Sequence, residues 1–139
     1  MPALRPAASA KPVDEKITIN LGFVDLGQID LLVQEGFYAN RSDLIRTAIR
    51  NQIASHAEAV KQVVSRRTLV LGIHHLSVAE LEAAKARGQS LDVRVLGLLT
   101  IAPDVTPELA RQTISSLAVL GALHAPAAVK AALSDRMNP

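Results

Sequence analysis

Cysteine is absent from the 139 residues. That excludes a disulfide framework, thiol chemistry and cysteine-based zinc sites together. Aromatic residues are almost absent: Phe23, Phe37 and Tyr38 are the whole set, and all precede Asn40. From residue 68 onward, any core is therefore built from small aliphatic side chains. No apolar run approaches the roughly 20 residues of a membrane-spanning helix, and no charged-then-apolar leader pattern opens the chain. Neither sign of charge dominates. Fifteen Lys+Arg stand against thirteen Asp+Glu, for a formal net charge of +2. Within residues 1–60, Arg5, Lys11, Lys16, Arg41, Arg46 and Arg50 are outnumbered by seven acidic residues. Any affinity of this part for a polyanion must come from placement, and is expected to depend strongly on salt. No Gly-rich phosphate loop, nucleophile elbow or His-Glu-x-x-His pattern occurs. The chain is expected not to be an enzyme and to need no cofactor.

What is present is pattern. Lys16-Ile-Thr-Ile-Asn-Leu21 alternates strictly, with Ile17, Ile19 and Leu21 on one face and Lys16, Thr18 and Asn20 on the other. A period of two predicts a half-buried strand. One such strand is not stable alone, and even a two-stranded ribbon needs helices against its apolar face. Helical patterns follow at once. Asp25-Leu-Gly-Gln28 reads as a capping box with Asp25 as N-cap, and Leu26, Ile29, Leu32 and Val33 recur at helical spacing. Gly36 is placed to end that helix in a left-handed turn. Asn40-Arg-Ser-Asp43 is a second cap signal, followed by the stripe Leu44, Ile45, Ala48, Ile49 and Ile53. The stripe continues through Ala57, Val60 and Val64, which predicts an unusually long second helix.

These residues resemble the ribbon-helix-helix (Arc/MetJ/CopG-type) DNA-binding family over about residues 15–55. The resemblance rests on Lys16–Leu21, on Ile29-Asp-Leu-Leu-Val33, and on Gly36-Phe-Tyr-Ala-Asn-Arg-Ser-Asp-Leu-Ile-Arg-Thr-Ala-Ile-Arg50. Leu21-Gly22 departs from the Leu-Pro of many relatives. The resemblance implies a swapped homodimer whose paired strands enter a DNA major groove. Lys16, Thr18 and Asn20 would then contact bases, with chemistry that suits guanine, thymine and adenine edges. Asn40, Arg41 and Ser42 would hold a DNA phosphate at a helix N-terminus, where N–H groups and the helix dipole favour an anion.

Residues 1–14 are rich in proline and alanine and read as a flexible arm, with Arg5 and Lys11 as possible phosphate contacts. Residues 15–66 are expected to form the DNA-binding and dimerisation domain. Residues 67–139 differ in kind, because they repeat. Val70-Leu-Gly72, Val95-Leu-Gly97 and Val119-Leu-Gly121 recur at nearly even spacing. After each comes a helix start: Ser77-Val-Ala-Glu-Leu81, Thr106-Pro-Glu-Leu109, and Pro126 through Leu133. One strand and one helix per unit predicts a small α/β solenoid-like repeat, here without an obvious polar end cap. The expected fold class is thus α+β: a ribbon-helix-helix domain plus a C-terminal α/β repeat.

The histidines do not suggest a metal centre. His74 and His75 are adjacent, so on a strand they point to opposite faces. His75 and His124 occupy equivalent repeat positions, two strands apart. No metal site is expected. Glu80 and Glu82 beside Lys85 and Arg87 read as a salt-bridged helix surface. The expected function is a sequence-specific transcriptional regulator, a repressor by its resemblance, that binds double-stranded DNA in the cytoplasm on the nucleoid. It would act as a homodimer, assembled into tetramers or larger through residues 67–139. The alternatives are an antitoxin-like partner binder and a scaffold or filament protein.

Overall fold

A computed structural model of the chain describes residues 14–137. The predicted arm, with Arg5 and Lys11, lies outside them, apart from Asp14. The chain divides between Ala54 and Ser55 into two compact units.

The first unit carries two helices. Helix α1 spans Phe23–Gln34, and α2 spans Arg41–Ser55. Helix α1 starts earlier than the capping box predicts. Its N-cap is Gly22, in extended geometry and without a side-chain cap. The Leu26 N–H bonds to the Gly22 carbonyl at 3.0 Å, closing the first turn there. Asp25 therefore sits inside that turn, where its charge still opposes the positive end of the helix dipole. The other end follows the sequence. Gly36 has φ +84°, its N–H reaches the Val33 carbonyl at 3.1 Å, and the Phe37 N–H reaches the Leu32 carbonyl at 3.0 Å. That pair of bonds is a Schellman motif.

Residues Lys16–Leu21 carry neither helix nor strand in the single chain. The physical reason is simple: a strand is defined by its ladder, and a lone segment has no partner to bond. The long second helix is also corrected. It is interrupted at His56 (φ −104°, ψ 14°), and α3 resumes over Ala57–Arg67.

The second unit holds the sheet. Strand β1 spans Val70–Leu76, α4 Val78–Ala86, β2 Leu91–Ile101, α5 Pro107–Thr113, β3 Ile114–His124 and α6 Ala127–Leu133. The strands are parallel and lie in chain order β1-β2-β3. The caps are the ones the sequence marks. Ser77 Oγ accepts from the Glu80 N–H at 3.2 Å, and Thr106 Oγ1 accepts from the Leu109 N–H at 3.2 Å with Pro107 opening the helix.

The three Val-Leu-Gly triplets fall in register: Gly72 pairs Gly97, and Gly97 pairs Gly121. Sterics demand glycine at positions 97 and 121. A Cβ on Gly97 would lie 2.1 Å from the Gly72 oxygen, and one on Gly121 would lie 2.1 Å from the Gly97 oxygen. All three also have φ between +120° and +139°, where side chains other than hydrogen are strained.

The core lies between sheet and helices. Val93, Val95, Leu99 and Ile101 of β2 meet Leu81 of α4, Leu109 and Ala110 of α5, and Val129 and Leu133 of α6. Parallel strands with helical crossovers bury aliphatic runs in this way. The array has an end cap that the sequence did not reveal. A short 3₁₀ turn, Ser134–Arg136, leads to Met137, which bridges Leu117 of β3. Arg136 donates to the Arg111 carbonyl and, at 2.7 Å, to the Ile114 carbonyl. Arg111 pairs with Asp135 at 2.9 Å. The expected ion pairs on α4 do not form among the described residues; Arg87 donates instead to Gln89 Oε1 at 3.1 Å.

Candidate nucleic-acid interface

Lys16, Thr18 and Asn20 are all exposed, and so are the apolar residues between them. Ile17 is 74% exposed and Ile19 57%. The segment thus presents both a polar and an apolar face to solvent in the single chain.

The turn into α2 is built more tightly. Asn40 is the N-cap: its Oδ1 accepts from the Asp43 N–H at 2.8 Å. Asp43 answers, its Oδ2 accepting from the Ala39 N–H at 3.0 Å. This reciprocal pair satisfies two donors at the helix start. The N–H groups of Arg41 and Ser42, in the first turn, have no carbonyl one turn behind them within the helix. They are the donors a phosphate oxygen would find.

Arg41 itself is engaged. Its Nε donates to Asp30 Oδ1 at 2.7 Å and its Nη2 to Asp30 Oδ2 at 2.8 Å. This two-point clamp fastens α1 to the start of α2 across the turn. The hydrogen bond from Arg41 is the main reason the Asp30 carboxyl is held below its ordinary range, and Asp30 in turn raises the guanidinium. Both groups are at the surface, so the pair serves geometry more than stability. Sequence reasoning missed this clamp. The partners are eleven residues apart on different helices, and no local spacing rule connects them. The structure therefore brings Asn40, Arg41 and Ser42 together at one helix start, with Arg41's side chain directed to Asp30. Lys16, Thr18 and Asn20 lie on their own separate segment.

Elsewhere, His75 Nδ1 lies 2.6 Å from Thr100 Oγ1, its register partner on β2. His124 is the next register partner of Thr100 on β3. The three form one row across the sheet, and no group of three metal-ligating side chains occurs among the described residues.

Comparison with known proteins gives one finding that spans both units. The model of a ribbon-helix-helix transcriptional regulator family matches residues 12–130. The match covers most of the C-terminal unit as well as the helix pair, so both units fall within the span of one family model. No curated protein and no solved structure shows a significant match to the chain.

Proposed function

The chain belongs to the ribbon-helix-helix transcriptional regulator family, and on that premise we propose that it is a sequence-specific, non-enzymatic DNA-binding repressor of the cytoplasm. Two chains pair residues 16–21 as antiparallel strands of a swapped dimer. The observation that carries this reading is the state of the first unit. None of residues 14–54 is buried, and Ile17, Ile19, Phe23, Val24 and Phe37 are each more than half exposed. A unit with so much bare aliphatic and aromatic surface is completed by a second copy. Pairing would give Ile17, Ile19 and Leu21 a common apolar face, and would turn Lys16, Thr18 and Asn20 outward as a ribbon of major-groove dimensions.

In this reading Lys16, Thr18 and Asn20 contact bases. The start of α2 holds a phosphate through Asn40, Ser42 and the Arg41 backbone, with Asp30 bracing the Arg41 side chain. Residues 67–139 form a solenoid-like repeat that joins dimers into tetramers. Joined dimers occupy neighbouring half-sites and gain affinity through effective concentration.

The test uses purified full-length protein and a pool of genomic DNA fragments at moderate salt. The protein is expected to retain a discrete subset of fragments. Asn20→Ala should cost about 1–3 kcal/mol of binding to them while leaving non-specific binding intact. Arg41→Ala should weaken binding to all sequences alike. Unchanged affinity in Asn20→Ala would remove the groove assignment. Deleting residues 68–139 should leave a DNA-binding dimer of lower assembly state by sedimentation. An unchanged assembly state would refute the division of labour.

A further inference from the structure

The two edges of the C-terminal sheet are unlike. The β3 edge is occupied at its start: Met137 bridges Leu117, and Arg136 donates to the Ile114 carbonyl. The β1 edge is bonded on one side only, to β2.

Yet β1 has the composition of an interior strand. Its Val70-Leu-Gly72 repeats the Val95-Leu-Gly97 of the central strand, residue for residue and in register. Val95 is 1% exposed, whereas Val70 is 53% exposed. Leu71 and Ile73 are exposed at 72% and 70%. The strand contains no Lys, no Glu and no proline, the usual devices that keep an edge from pairing.

The core is also open on this side. A groove of about 290 Å³ runs along the edge, lined by Val70, His74 and Leu76 of β1 and by Ala84 of α4. Its charged lining is balanced, with Glu80 and Asp92 against Arg87 and Arg94.

We propose that the β1 edge is completed by the β1 edge of a second copy, giving one sheet of order 3-2-1-1′-2′-3′ across two chains. This rests on the assembly role given above to residues 67–139 and is independent of DNA binding. Two observations select this occupant. The groove is neutral, which suits a like partner. The remaining arrangement of copies, β1 against the β3 edge of the next, meets the bridge at Leu117. That arrangement would also propagate unless its rotation closed a ring, whereas like-to-like pairing about a two-fold axis closes at two copies.

The absence of cysteine allows a clean test in the full-length protein. Ile73 and Ala122 are register equivalents, through Leu98, on the two opposite edges. Ile73→Cys and Ala122→Cys are each treated with a short thiol-to-thiol crosslinker and run on a denaturing gel. Ile73→Cys is expected to give mainly two-chain species, and Ala122→Cys to remain single chains. Crosslinking only when the two variants are mixed would overturn the proposal in favour of a head-to-tail polymer. Single chains in every sample would overturn it too, because the edge would then be left open or covered by something else. The truncation at residue 68 separates the two readings. If it lowers assembly while Ile73→Cys fails to crosslink, the assembly role stands and the edge assignment falls.

Discussion

Residues up to Ala54 and residues from Leu69 onward find a hydrophobic interior in different places. In the C-terminal unit Leu81, Leu99, Ile114 and Leu133 are each 0% exposed within their own chain. In the N-terminal unit the best-covered apolar side chains, among them Leu26, Ile29, Leu44 and Ile45, are only half-buried. Two short helices and one lone extended segment do not have enough apolar surface to enclose one another. Three strand-helix units stacked in register do. The contrast follows from size and repetition: burial rises with the number of packed layers, and a stack adds a layer with each unit. In the proposed dimer the first unit would gain the core that its own chain does not enclose, whereas the second already holds a core within one chain.

The sharpest break of this comparison is expected at the glycine ladder. Gly97→Ala would force a Cβ to within 2.1 Å of the Gly72 oxygen, a backbone atom in a paired strand. The cost should reach about 3 kcal/mol or more. Thermal unfolding followed by circular dichroism should show the C-terminal transition collapse while the N-terminal one persists. A C-terminal transition unmoved by the alanine would mean that the stacked approach of Gly72 and Gly97 is not the solution structure.

A second, somewhat smaller effect separates the two kinds of core. Leu99→Ala removes a fully buried side chain and should cost about 2–5 kcal/mol, equally at every protein concentration. Ile19→Ala should lower the N-terminal transition by an amount that grows on dilution if its burial comes from the proposed dimer. Melting curves over a dilution series decide the matter. Concentration dependence in both variants, or in neither, would erase the distinction.

The smallest expected effect is electrostatic. Asp30 is held below the ordinary aspartate range, first by its hydrogen bond from Arg41. Asp92 is lowered by Ser116 and then Arg94, and Asp135 by Arg111. A carboxyl whose value is lower in the folded state stabilises that state above its unfolded value. That contribution is lost as pH falls through the depressed folded value. Each unit should therefore weaken slightly below about pH 4, the ordinary carboxylate range. Asp30→Asn should flatten this acid dependence in the N-terminal unit alone. An acid profile identical to that of the parent would show that the Asp30–Arg41 clamp is not populated.

Much of the fold was legible in the sequence because its signals are local. Asn40 as a cap, Gly36 as a helix stop, and Ser77 and Thr106 as N-caps all act within four residues of themselves. The triplet spacing also announced the register of the strands, since only glycine tolerates the close approach it creates. The start of α1 was misread because Asp25 suits two neighbouring roles, cap and first-turn acid, and local chemistry does not separate them. The candidate interface was half legible. Its residue types and the cap at Asn40 were readable, but the Asp30–Arg41 clamp was not.

By itself, then, the sequence determined most of the helices, the caps at Asn40, Ser77 and Thr106, and the spacing of the Val-Leu-Gly triplets, since these depend on propensity, patterning and steric limits within a few residues. Tertiary structure decided which distant groups meet. It paired Arg41 with Asp30 and folded residues 134–137 over one edge of the sheet. It also left β1, whose Val70-Leu-Gly72 matches Val95-Leu-Gly97 of the central strand, at an edge of the sheet. That last outcome depends on where a strand sits in the stack, and a strand's own residues do not encode its neighbours.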